Sequence, residues 1–173
     1  MSSQESPEKS WYLVYSKPHQ EDVAFTQLAR QGYTAYLPRC RRMRKRQGRS
    51  LPVIEPLFSR YLFIHLDIHT DNWGPIRSTQ GVASLVRFGQ NPSPVPDSLI
   101  AFLRSCEGAD GLSTRVEPQH QAGDRVRVAD GPLEGYEGIL LAKTSRERVV
   151  VLLEILGKQV RTQLAVDRLE RSS

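Results

Sequence analysis

The side chains best equipped for covalent or metal chemistry in this chain are four histidines, His19, His65, His69 and His120, and two thiols, Cys40 and Cys106. Their spacing supports neither use. The histidines form no recognised ligand motif, and there is no CxxC, no P-loop and no G-x-S-x-G. No carboxylate pair has a reason to be perturbed, so a non-enzyme without metal or cofactor is expected. Binding chemistry is better represented. Seven of the eleven positions 39–49 are basic and none is acidic, with Arg41, Arg42, Arg44, Lys45 and Arg46 at the centre of the run. Like charges at that density cannot build a packed face. The run should project as a loop or a long hairpin arm turning near Gln47-Gly48. Nucleic acid or an acidic protein surface suits it; a merely solvated loop is the plainer alternative. A second group lies just beyond. From Tyr61 the chain alternates, so one face of a strand collects Leu62, Ile64 and Leu66 and the other Tyr61, Phe63 and His65. The aromatic face suits a partner surface, unless the sheet is covered on both sides.

These groups need a scaffold, and 173 residues suffice for one ordinary domain or two small ones. A hydrophobic content of 39% with 25% charge is that of a globular protein. No apolar run is long enough for a membrane span, and the first ten residues lack the apolar core of a secretion signal. A cytoplasmic monomer is expected. The formal charge of +5 favours a polyanionic partner. Residues 1–110 carry 14 basic and 10 acidic groups, an excess of four; the remainder carries 10 and 9. The positive charge sits in the first part.

The elements follow from pattern and punctuation. Residues 1–10 read as a flexible leader. Trp11, Leu13 and Tyr15 share one face of a first strand. A helix is predicted over 18–31, with Ser16 as its N-cap and Gly32 as its C-terminal cap. Residues 33–37 read as a strand, 71–81 as a short helix or turn ending at Gly81, and 82–88 as another strand. Asp97 or Ser98 should start a helix through Cys106, with Leu99, Ile100 and Leu103 on one side. The order predicts a ferredoxin-like domain over 11–107, an antiparallel sheet with helices on one side. Residues 108–121 read as a linker. The segment 122–173 has short strands at 123–128, 139–141, 149–153 and 159–164, with Gly157-Lys158 as a hairpin turn. That predicts a small SH3-like barrel.

The run 123–140, GDRVRVADGPLEGYEGIL, is similar to a KOW motif. Together with Trp11-Tyr12, the strand at 58–63 and Gly81-Val82, it resembles the NusG family of transcription elongation factors along nearly the whole chain. Ser10–Leu13, Glu55–Phe58 and Leu85–Gly89 look closer to its specialised RfaH-type antiterminators. The resemblance implies a bacterial factor that rides on RNA polymerase and suppresses pausing and termination. It implies a polymerase-binding face at Tyr15, Phe58, Tyr61, Phe63, Ile100 and Leu103. It also implies non-template DNA contacts at the start of the first helix and the loop before Gly81, matched by Lys17, Gln20, Arg77 and Thr79. Pro18, Val23, Gln27 and Gln80 depart from the cationic or imidazole residues expected there.

For the second domain the resemblance allows two folds: the KOW barrel, coupling to a small-subunit ribosomal protein or to Rho, or an α-helical hairpin masking the polymerase site. Gly131, Pro132, Gly135, Gly138 and Gly157 would burden a hairpin by several kcal/mol, at about 1 per glycine and about 3 for proline. The barrel is therefore the expectation, in the intact chain as in the isolated piece. Two alternatives stay open: a general NusG-type factor, and an RNA-binding or ribosome-associated KOW protein. An RNA-recognition sheet wants glycines among its aromatics, and residues 59–66 have none.

Overall fold

The computed structural model describes residues 9–113 and 134–171. Its centre is the strand whose alternation was legible, β5 (Tyr61–Leu66). This pairs with β1 (Ser10–Ser16), matching Leu13 to Phe63 and Tyr15 to Tyr61. Two shorter strands complete an antiparallel sheet: β2 (Thr34–Tyr36) beside β5, and β6 (Val82–Leu85) beside β1. Between β2 and β5 the chain makes a separate hairpin, β3 (Arg39–Arg46) and β4 (Arg49–Pro56). Its turn is Gln47-Gly48 with φ values of 53° and 77°. Positive φ at both central residues is what a tight two-residue hairpin turn requires.

Side chains of opposite parity bury on opposite sides of the sheet. Tyr12, Val14, Leu62, Ile64 and Leu66 pack with Ala24 and Leu28 of α1 (Glu21–Arg30), and with Ile76 from a 3-10 turn, Gly74–Ser78. Trp11, Leu13 and Phe63 face the other way, onto Leu99, Ile100 and Leu103 of α2 (Asp97–Ser105). Helices therefore cover both faces, not one as expected. The reason is that β1 and β5 are apolar on both parities, and each face needs a cover.

Helix α1 is shorter than predicted at both ends. Ser16 does not cap it; its Oγ donates to the carbonyl of Lys17 at 3.1 Å, and His19 takes a left-handed φ of 59° before the helix starts. Gly32 does end it, at φ 92°, with its N–H on the Ala29 carbonyl and that of Tyr33 on Leu28. The first part of the expected linker is tied down. Ser113 N–H donates to the Arg39 carbonyl at 2.8 Å, and Gly108 N–H to Leu112 at 2.8 Å.

The largest departure lies after residue 133. Where strands were expected at 139–141, 149–153 and 159–164, the chain forms α3 (Glu137–Leu141) and α4 (Ser145–Arg171), preceded by a 3-10 turn, Glu134–Tyr136. The expected strand at 123–128 lies outside the described residues. Gly131 and Pro132 lie outside the described residues. Among the described ones Gly135 sits in the 3-10 turn, Gly138 in the first turn of α3 and Gly157 inside α4, so the cost of glycine in helix is at most about 2 kcal/mol. Against that, Tyr136, Ile139, Leu152, Ile155 and Leu156 are all buried on the Trp11–Phe63 side of the sheet. At about 1.5–3 kcal/mol per buried apolar side chain, burial outweighs the propensity that favoured strands.

Two glycines separate conformational from steric need. At Gly32 an added Cβ would meet nothing within 4 Å, whereas at Gly81, φ 88°, it would lie 2.7 Å from the Ala24 nitrogen. Gly32→Ala should cost about 1 kcal/mol, the left-handed penalty alone. Gly81→Ala should cost at least about 2 kcal/mol more, because backbone has to move. Urea unfolding of the two variants measures the difference; equal midpoints would remove the close-packing claim.

Candidate functional site

The residues expected to bind polymerase do converge. Tyr15 and Tyr61 are cross-strand partners with ring centroids 5.0 Å apart, and Phe63 meets Phe58 edge-on at 6.1 Å. Ile100 and Leu103 complete the group from α2. They are not a free surface in this structure. Phe58, Phe63, Ile100 and Leu103 are buried, and Tyr15 and Tyr61 are half-buried at its edge. The exposed aromatic face expected from alternation is covered by α3 and α4, whose own apolar side chains need burial as much as the sheet does. Burial pushes the Tyr61 phenol above its ordinary pKa, with Arg60 opposing. The same is true of Tyr36, where burial is reinforced by a hydrogen bond to Glu107. His65 stacks on Trp11 at 4.6 Å, a packing role rather than a ligand's.

A polar seam joins the two parts, and no local pattern announced it. The Arg148 guanidinium, 5% exposed, enters between β4 and α4. Its Nε donates to the Leu57 carbonyl at 2.6 Å and its Nη2 to Glu55 Oε1 at 3.1 Å. The same Nη2 lies 3.5 Å from Cys40 Sγ, and Nη1 reaches the carbonyls of Ala142 and Lys143 at 3.5 Å. One turn earlier, Ser145 Oγ accepts from the Ser59 N–H at 2.6 Å and from Ser59 Oγ at 2.7 Å. A buried charge needs partners on every donor, and here Glu55 of β4, the Leu57 carbonyl just past it, Cys40 of β3 and the α3–α4 turn supply them. The start of α4 did carry a signal. Thr144 and Glu147 have the spacing of a capping box, and Thr144 Oγ1 accepts the Glu147 N–H at 3.1 Å.

The expected DNA residues form a second group, just beyond the end of β1. Lys17 N–H donates to the Gly81 carbonyl at 2.8 Å, which brings the start of α1 to the loop after the Gly74–Ser78 turn. Lys17 and Arg77 are exposed and Gln20 is half-buried. Thr79 is different: it is buried, and its hydroxyl donates to Pro75 at 2.9 Å and accepts from Gln31 at 2.7 Å. It braces the loop. Beside this patch Arg60, at φ 70°, lies 4.1 Å over the Tyr15 ring and donates to the Ser16 carbonyl at 3.1 Å. That corner ties the patch to the strand that carries Ser59.

The arm residues are ordered by β3. Arg41 pairs with Asp110 at 3.3 Å and Arg42 with Glu55 at 3.7 Å, both near the arm's base. Arg44, Lys45 and Arg46 are exposed beyond them.

The chain is similar to known proteins. A family model described as "Transcription termination factor nusG" matches residues 9–104. The "Transcription termination/antitermination protein NusG" of Deinococcus radiodurans is 25% identical over 179 residues, covering 89% of this chain and 94% of that one. Its namesake in Halalkalibacterium halodurans is 22% identical, covering 95% and 99%. A solved structure titled "Domain interaction in Thermotoga maritima NusG" is 24% identical, covers 73% of this chain and 76% of that chain, and has a TM-score of 0.38.

Removing one partner of a buried ion pair costs about 3–5 kcal/mol, and somewhat less here because Glu55 is 22% exposed. Glu55→Gln should therefore loosen α3 and α4 by about 2 kcal/mol, speeding their amide exchange roughly 30-fold while β1 and β5 keep theirs. Unchanged exchange in α4 would mean that Arg148 holds nothing.

Proposed function

The chain belongs to the NusG family, and on that premise we propose that it is a transcription termination/antitermination factor of the masked, RfaH-like kind. The face built from Tyr15, Phe58, Tyr61, Phe63, Ile100 and Leu103 is its RNA polymerase dock. Helices α3 and α4 cover that dock until they are released. Lys17, Gln20 and Arg77 contact the non-template DNA strand, on a loop that Thr79 holds in shape. Once released, residues 122–173 are free to take the KOW barrel and meet a ribosomal protein or Rho.

One observation carries the masking. The face whose members match the family's polymerase contacts is the face on which Ile139, Leu152, Ile155 and Leu156 are buried. A ligand site covered by part of its own chain binds with an apparent affinity reduced by the fraction of molecules that are open. The general NusG reading, with a barrel that leaves the dock clear, has its own support. The relatives from Deinococcus radiodurans and Halalkalibacterium halodurans carry that name over nearly their full length.

The two readings part on polymerase affinity. Under masking, Glu55→Gln opens the dock, and binding to RNA polymerase should tighten at least about tenfold; under the general reading it stays as it is. Tyr61→Ala in the Glu55→Gln background should then weaken binding by about 2 kcal/mol, roughly 30-fold, if Tyr61 is an anchor.

Gly157 gives a test in the other direction. It lies inside α4 with nothing within 4 Å of an added Cβ. Gly157→Ala should favour the helix by up to about 1 kcal/mol and weaken polymerase binding about fivefold. An unchanged affinity would count against a helical resting state.

A further inference from the structure

The seam around Arg148 holds more positive charge than its carboxylate balances. Arg148 and Arg42 share Glu55, at 3.1 Å and 3.7 Å, so one negative charge serves two cations. Arg41 has its own partner in Asp110. Lys143 enters none of the ion pairs found among the described residues. These four cations and Glu55 line one small cavity, of about 30 Å³, between the base of β3 and the α3–α4 turn. Ser113 forms another part of its wall.

Ser113 is the second sign of a ligand. The residue is 5% exposed, and its Oγ has no hydrogen-bond partner among the described residues. Its backbone is fixed: the N–H donates to the Arg39 carbonyl at 2.8 Å, and the residue bridges to Cys40. A buried hydroxyl without a partner is costly, and native structures rarely keep one. The Arg148 guanidinium is loosely held on one side as well. Its Nη1 contacts to the Ala142 and Lys143 carbonyls are both 3.5 Å, beyond the usual range of about 2.7–3.2 Å.

We propose that this cavity binds a small monovalent anion, of which chloride is the type, and that the bound ion holds α3 and α4 closed. Charge favours an ion over water. A water would satisfy the Ser113 hydroxyl but would not offset the second cation on Glu55, whereas an anion accepts hydrogen bonds and does both. Size favours a small ion. Organic ligands take cavities of about 300 Å³ or more, ten times what is offered here. Placement gives the effect its sign. The walls come from β3, from the segment after α2 and from the α3–α4 turn, so the site is complete only while those helices stay closed. A ligand that binds only the closed form stabilises it. Plain screening acts the other way, weakening the attraction between Arg148 and Glu55. The proposal rests on the closed arrangement of α3 and α4, not on polymerase binding.

The test follows amide exchange of the full chain in sodium chloride and in sodium gluconate, both at about 150 mM and the same pH, so that ionic strength is equal. Gluconate is too large to enter. Exchange in α4 should be at least about fivefold slower in chloride, while β1 and α1 exchange alike in both salts, which separates a bound ion from a general salt effect. Ser113→Ala removes the hydroxyl and Lys143→Gln an exposed cation. Each should bring the ratio in α4 below about twofold. Glu55→Gln should raise it above the wild-type value, because the carboxylate that repels the ion is gone. Equal exchange of α4 in the two salts overturns the proposal and leaves the cavity to water. So does a chloride effect that survives either Ser113→Ala or Lys143→Gln, or one that reaches α1 to the same extent. An α4 without protection in both salts removes the closed form and the site with it. An α4 that is protected yet indifferent to chloride removes the site alone and leaves the masking intact.

Discussion

A sheet that is apolar on both faces must be covered on both, and this constraint organises the molecule. In β1, Tyr12 and Val14 point one way while Trp11 and Leu13 point the other, and none of the four is left to solvent. Helix α1, with Ile76 of the 3-10 turn, covers the first face. The second face is wider than α2 can close. Leu99, Ile100 and Leu103 shield part of it, and the remainder around Phe58 and Phe63 needs material from elsewhere. In this structure the material is α3 and α4.

That requirement explains what was legible and what was not. The two parities of β5 were readable because a strand's period is fixed by geometry, and both sides carried a clear composition. Gly32 as a helix stop and Gln47-Gly48 as a hairpin turn were readable because each answers a local backbone need. Over residues 134–171 the helical alternative, not the favoured strands, is what the structure shows, and the preference for strands failed for the opposite reason. Val149, Val150 and Val151 have strand propensity, and the glycine count looked decisive, but local preference amounts to a few kcal/mol. Burial of Leu152, Ile155 and Leu156 against Phe63 and its neighbours is a long-range gain, absent from any window of sequence. Thr144 and Glu147, a capping pair ahead of an apolar run, were the local hint that the segment can also start a helix.

The same division holds for the site. The aromatic members were found by period and by resemblance. The seam was not, since Arg148 meets Glu55 across 93 positions and Ser145 meets Ser59 across 86. A lone arginine ahead of a valine run gives no sign of which carboxylate it will find. Thr79 shows the converse: it was assigned by resemblance to DNA, and its hydroxyl is occupied by Pro75 and Gln31. Matching a family position does not say whether the side chain points out.

The composition of the seam bears on why a covered face could be uncovered at all. Had α3 and α4 been joined to the sheet by apolar contacts alone, closure would be strong and indifferent to register. Placing a guanidinium in the seam changes both terms. Its desolvation offsets much of what the ion pair returns, so Arg148–Glu55 adds little net stability while both partners are present. Removing either partner, or drawing Glu55 toward another cation, leaves a charge stranded and costs several times more. Arg42 stands 3.7 Å from the same carboxylate, on the strand that leads out to the arm. Closure is therefore held by apolar burial but kept in register by a pair whose balance is reachable from the surface. On the masking proposed above, that is the arrangement expected of a contact that holds at rest and can yield, with its sensitivity at Glu55 rather than in the hydrophobic face.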